Sequence, residues 1–173
     1  MGVRILARCL GALALACAAA GSGAEEGAQT PPFITTPDEV VEQMLHLAGT
    51  GPGDVVVDLG SGDGRIVIAA ARLFGARGIG IELDRSLVEA SRRNAERAKV
   101  ADRVSFVQGD VLSADLSPAS VVTLYLLPGL IGKLQPRFIY ELRPGTRIVA
   151  HAFGMAGWKP DRTETLRVPG LSS

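Results

Sequence analysis

The chain has 173 residues, 47% of them apolar, and its 18 basic and 18 acidic side chains cancel. That length buries one core but not two ordinary domains. The balanced charge offers no field to recruit nucleic acid or an anionic membrane surface. Both cysteines, Cys9 and Cys17, lie near the start, so the remainder can hold neither a disulfide nor a thiolate site.

Met1 to Ala24 reads as a secretory signal or membrane leader. Arg4 and Arg8 form a basic region, Cys9 to Ala20 an apolar one, and Ala18-Ala19-Ala20 before Gly21 a cleavage site of the A-x-A kind. The apolar run falls short of the roughly 20 residues that cross a bilayer. Ala14-Leu15-Ala16-Cys17 has the outline of a lipoprotein box but carries alanine where leucine is usual. The leader predicts an exported or envelope-associated protein, periplasmic or membrane-anchored. Glu25 to Pro32 is a polar linker with two prolines, and residues 33–173 form one domain.

The first helix is predicted after Thr36, where Thr36 and Glu39 make a capping box and Pro37 suits the first helical position. Val40, Val41, Met44, Leu45 and Ala48 then fall on one face. Val55 to Leu59 is a buried strand, followed by the turn Gly60-Ser61-Gly62-Asp63-Gly64 and a helix from Ile66 to Phe74. A second strand runs from Gly78 to Glu82. Asp84 caps a third helix, Leu87 to about Lys99, whose charges Glu89, Arg92, Arg93, Glu96 and Arg97 form a solvated face. Further strands are Val104 to Val107, Val121 to Leu126 and Arg147 to Phe153. Pro128 to Leu142 reads as a helix broken near Pro136. Strands alternating with helices predict an α/β fold, a mostly parallel sheet with helices on both faces.

The glycine turn carries the chemistry. Its spacing is G-x-G-x-G, one residue short of the dinucleotide fingerprint, which argues against NAD. Asp58, at the strand end, would repel a pyrophosphate and welcome an ammonium group, as on the methionine end of S-adenosylmethionine. The free N–H groups of the following helix point back at the turn. Asp63 and Arg65 either lie near the carboxypropyl end of that ligand or cap the helix. In an open α/β sheet ligands bind beyond the carboxyl ends of the strands, where Asp58, Glu82, Asp110 and Tyr125 sit. Tyr125 and Trp158 are candidates for the substrate side, because aromatic faces attract cations, and Phe153 suits the core. His46 falls on the polar side of the first helix. His151 lies in a strand without a second ligand, which excludes a zinc site.

From Phe33 to Pro160 the chain resembles the class I S-adenosylmethionine-dependent methyltransferases. Asp58-Leu59-Gly60-Ser61-Gly62-Asp63-Gly64 is similar to their first motif, as is Gly78-Ile79-Gly80-Ile81-Glu82 to the second strand and Gly109-Asp110 to the adenine-binding motif. The first motif also resembles that of the Dot1-like lysine methyltransferases. A closer likeness is to the small protein-lysine N-methyltransferase family acting on the mitochondrial adenine nucleotide translocase and the ATP synthase c-subunit. Its bacterial relatives share Pro32-Phe33-Ile34-Thr35-Thr36-Pro37, Thr123-Leu124-Tyr125-Leu126-Leu127-Pro128 and Trp158-Lys159-Pro160.

The resemblance implies a Rossmann-like fold and an S-adenosyl-L-methionine cofactor held by Asp58, Gly60, Ser61, Gly62, Glu82 and Asp110. Glu82 would accept the ribose hydroxyls and Asp110 would meet the adenine. It implies an enzyme acting on a protein-lysine amine, in a small or membrane protein. Alternatives are methylation of a small molecule or lipid, or a non-catalytic cofactor-binding module. No metal and no nucleic acid are implied. The family continues into a final strand beside the fifth. Its absence here would leave the fifth as an exposed edge through which copies could associate. The leader conflicts with a cofactor made in the cytosol.

Overall fold

The computed structural model describes residues 2–6 and 35–166. The linker, the apolar run from Cys9 to Ala20 and the motif residues Pro32 to Ile34 lie outside the described residues. Strand β1 is Gly2–Leu6, followed by helix α1 (Asp38–Leu47), β2 (Val55–Leu59), α2 (Arg65–Phe74), β3 (Arg77–Glu82) and α3 (Arg85–Arg97). The chain continues with β4 (Val104–Gln108), a single 3-10 turn at Val111–Ser113, β5 (Val121–Leu124), α4 (Pro128–Glu141), β6 (Arg147–His151) and β7 (Arg162–Thr165). They form one sheet in the order β4-β3-β2-β5-β6-β1-β7. The first five strands of that order are parallel, β2 against β5 pairing Asp58 with Thr123 and β5 against β6 pairing Thr123 with Val149.

Side-chain alternation gives the sheet two covered faces. Val56, Val121 and Val149 pack under α1, α2 and α3 with Val40, Met44, Leu45, Val67, Ala70 and Val88. Val57, Leu59, Val122, Leu124, Ile148 and Ala150 pack under α4 with Ile131, Leu134 and Phe138. All five residues assigned to the inner face of α1 are buried. At the amino ends of the strands, Arg147 ties Asp54 to the carbonyls of Ala48 (2.8 Å) and Gly49 (3.0 Å).

Four expectations need correction. Thr36 does not cap α1: the N-cap is Pro37, without a side-chain bond, because the Thr36 hydroxyl is turned inward toward His151. Helix α4 is not broken at Pro136. Burial of Ile131, Leu134 and Phe138 outweighs the one lost backbone bond, and Arg137 next to the proline anchors the helix by donating to the carbonyls of Leu112 (2.8 Å) and Ala114 (2.6 Å). Phe153 is not core but 39% exposed, since β6 stops at His151 and Ala152 turns the chain with φ 64. The fifth strand of the parallel set, β6, is not an open edge. Gly2–Leu6 lies antiparallel beside it, Val3 opposite His151 and Leu6 opposite Ile148, and β7 pairs antiparallel with β1 on the other side.

Candidate cofactor site

The carboxyl ends of β2, β3, β5 and β6 meet above the reversal of strand order, the crevice in which open α/β sheets bind ligands. Gly60, Gly62 and Gly64 all have left-handed φ, 79, 54 and 81, and the turn is anchored where the amides of Gly60 and Ser61 both donate to the Ile81 carbonyl at 2.9 Å. A Cβ on Gly64 would lie 2.6 Å from the Phe106 ring and one on Gly60 2.9 Å from Leu126. Backbone shape and close packing both require glycine.

Glu82 ends β3 with each carboxylate oxygen fixed: Oε2 accepts from the Gly62 amide (2.8 Å) and Oε1 from the Asp84 amide (2.9 Å). Each oxygen retains a lone pair, so the carboxylate is a prepositioned acceptor of the kind a ribose diol requires. Asp58 is 2% exposed and accepts from the Thr123 hydroxyl at 2.6 Å. Burial pushes its carboxyl up to about 7, against the Thr123 hydrogen bond and with help from the negative charges of Glu82 and Asp63. A buried carboxylate with no cation beside it among the described residues fits a ligand that brings an ammonium group.

The remaining predicted residues separate. Asp63 pairs with Arg65 through Oδ2 to Nη2 (2.7 Å) and accepts weakly from the Arg65 amide (3.3 Å). Arg65 reaches on to the Thr36 carbonyl (2.8 Å). These bonds brace the turn against the start of α1. Asn94, which the sequence did not single out, supports the turn from α3 by donating to the Asp63 carbonyl (2.8 Å). The Ser61 side chain is buried under the turn against β3, where a Cβ on Gly80 would lie 2.6 Å from its Oγ. Asp110 is exposed after β4 and caps the 3-10 turn through Leu112 N at 2.8 Å. Trp158 packs half-buried against the apolar cluster under α4. Tyr125 follows β5 into the crevice, half-buried, its ring 4.3 Å from that of His151 and tilted by 39°. Thr123 and His151 escape sequence reasoning as site residues: Thr123 is set opposite Asp58 by strand register and His151 meets Tyr125 through a ring contact, both between strands distant in sequence.

This fold, with an acid at the end of β2, a left-handed glycine turn and a fixed carboxylate at the end of β3, defines a class I S-adenosylmethionine-dependent methyltransferase. The chain belongs to the family described as the ANTKMT methyltransferase domain, which it matches over residues 58–162. It is 41% identical over 130 residues to a protein-lysine N-methyltransferase of Saccharolobus islandicus, covering 75% of this chain and 81% of that one. To the mouse lysine N-methyltransferase of the ATP synthase c-subunit it is 36% identical over 132 residues, 76% of this chain but 53% of the mouse protein. Thus the chain spans about half the length of the mouse relative. Among solved structures it resembles a Salinibacter ruber protein described as an RNA methyltransferase in complex with S-adenosyl-L-homocysteine, at 56% identity and TM-score 0.76, over 77% of this chain and 87% of that one.

Asp58 sets up an opposition between stability and binding. Its carboxyl ionises near 3.8 when free and near 7 in the fold, so the stability it lends is complete below the lower value and lost as pH rises through the upper one. Asp58→Asn is therefore expected to raise the melting temperature of the cofactor-free protein by an amount that grows between about pH 5 and pH 8. The same change should weaken cofactor binding, since the ligand ammonium loses its counter-charge. Thermal scans at the two pH values, with and without S-adenosylhomocysteine, check both parts.

Proposed function

We propose that this methyltransferase acts on the ε-amine of a protein lysine. The observation that carries the reading is the 41% identity to a protein-lysine N-methyltransferase, over 81% of that protein's length. Two features of the chain support it. The zero net charge provides no attraction for a polyanion, and the Tyr125 ring offers a cation an aromatic face in the crevice. Bound S-adenosylmethionine supplies an activated methyl group. The protein's part is to hold the amine in line with it, and such positioning alone is a large share of the rate. A lysine with its ordinary pKa near 10.4 must give up a proton at a cost of roughly 4.6 kcal/mol near pH 7, which desolvation beside a sulfonium lowers. The acceptor class is a small or membrane-associated protein, in keeping with the apolar leader.

The name of the Salinibacter protein favours a second reading, RNA methylation. The zero net charge weighs against it. The full-length protein, incubated with methyl-labelled S-adenosylmethionine and a cell extract, is expected to give methyl-lysine on acid hydrolysis of the labelled protein. Label in RNA, lipid or a small metabolite would replace the acceptor and leave the methyltransferase standing.

We also propose that residues 1–24 carry the chain to the envelope, supported by Arg4 and Arg8 ahead of the apolar run. The same segment supplies β1. Cleavage after Ala20 would remove a strand, so methylation with cytosolic cofactor belongs to the uncleaved chain.

A further inference from the structure

The position of His151 is unusual. It ends β6 on the face of the sheet that carries Asp58 and Thr123, is 1% exposed, and its Nε2 has no hydrogen-bond partner among the described residues. Buried polar atoms are nearly always paired, and an exception at the mouth of a ligand crevice points to the ligand. On its other side Nδ1 faces the Thr36 hydroxyl at 3.5 Å. That arrangement leaves Nε2 for a third party. Against the ring packs Tyr125, the half-buried residue at the end of β5, so the imidazole sits one side chain below the crevice surface. Ala152, next in the chain, is held at φ 64, a conformation disfavoured for a residue with a Cβ that is tolerated where the surroundings enforce a particular geometry.

We propose that His151 Nε2 is the hydrogen-bond acceptor for the incoming amine, directing its lone pair toward the transferred methyl group. The inference rests on the lysine-acceptor reading. Its chemistry follows from a neutral imidazole, which burial favours by holding the His151 pKa below its ordinary value, with a lesser push from the positive charge of the chain's amino terminus. A neutral ring can accept from N–H without repelling the cationic amine or the sulfonium. The groups facing it among the described residues are the Thr36 hydroxyl from the segment before α1 and the Tyr125 ring from β5. Contact requires the Tyr125 ring to move aside or one water to bridge, as catalytic hydrogen bonds often tighten only when substrate is bound. As the amine's nitrogen–carbon bond forms, the carbon–sulfur bond breaks with its electron pair going to sulfur, and the amine's proton passes to solvent.

The test uses the extract proteins in which the wild type forms methyl-lysine, with S-adenosylhomocysteine affinity as the measure of an intact fold. His151→Leu is expected to lower kcat by about 10- to 100-fold, the scale of one hydrogen bond to a charged group, with that affinity unchanged. His151→Gln, which keeps an acceptor, should recover part of the rate. In the wild type, log kcat should rise by about one per pH unit as the amine deprotonates, and by about two below the histidine's pKa. The steeper limb should be absent from both variants, an outcome that mere packing would not produce. If His151→Leu fails to bind S-adenosylhomocysteine, the wild-type profile and His151→Gln decide alone. Equal loss in both variants with an unchanged pH profile, or no loss at all, overturns the proposal. If the wild type forms no methyl-lysine, the acceptor reading falls and this inference falls with it.

Discussion

Glu82→Ala is expected to weaken S-adenosylmethionine binding by about 2–3 kcal/mol, roughly 30- to 150-fold. Charge-assisted bonds to the ribose account for part of this. The rest comes from the turn: Glu82 Oε2 holds the Gly62 amide at 2.8 Å, and without it a left-handed glycine regains the freedom that binding must then freeze out. Glu82→Gln separates the contributions, since its amide oxygen can still accept from Gly62 while one ribose hydroxyl loses a carboxylate oxygen, and it should lie between the wild type and alanine. Isothermal calorimetry measures all three. Unchanged affinity in a folded Glu82→Ala protein would take the residue out of the site.

Local chemistry makes Glu82, Asp58 and the glycine turn legible in the sequence. A run of valines, an acid and alternating glycines can form few other structures, and the acid closing the next strand follows at a fixed βαβ distance. What sequence hides is pairing across distance. Thr123 meets Asp58 only because β5 lies beside β2 in register, and nothing near either residue announces it. Thr36 illustrates competition between local and tertiary demands. Its spacing to Glu39 is that of a capping box, but a buried place opposite His151 claims the hydroxyl. In the structure Asp110 caps a turn and Trp158 packs half-buried against the cluster under α4, contacts that motif matching does not disclose. Phe153 fails as core because the strand ends two residues sooner than its apolar run, at the left-handed Ala152.

Composition marks residues Gly2 to Leu6 as the basic start of a leader, but the alternation Val3-Arg4-Ile5 equally suits a strand. Removing residues 1–24 is accordingly expected to do more than delete a targeting signal. The register pairs four residues of β1 with β6 and four with β7, and β7's place in the sheet depends on β1. Loss of these ladders would cost about 3 kcal/mol, a few net backbone bonds, and lower the melting temperature by roughly 6–12 °C for a domain of this size. The vacated side of β6 would then present unpaired N–H and C=O groups, an invitation to strand addition by another copy. Side-by-side thermal scans and light scattering of residues 1–173 and 25–173 test both consequences. The candidate site residues Asp58, Gly62 and Glu82 lie on or beside strands the truncation leaves paired, so S-adenosylhomocysteine should still bind the shorter chain. If the two proteins melt together and both stay monomeric, Gly2–Leu6 contributes nothing to the sheet and the leader is free to act as a signal alone.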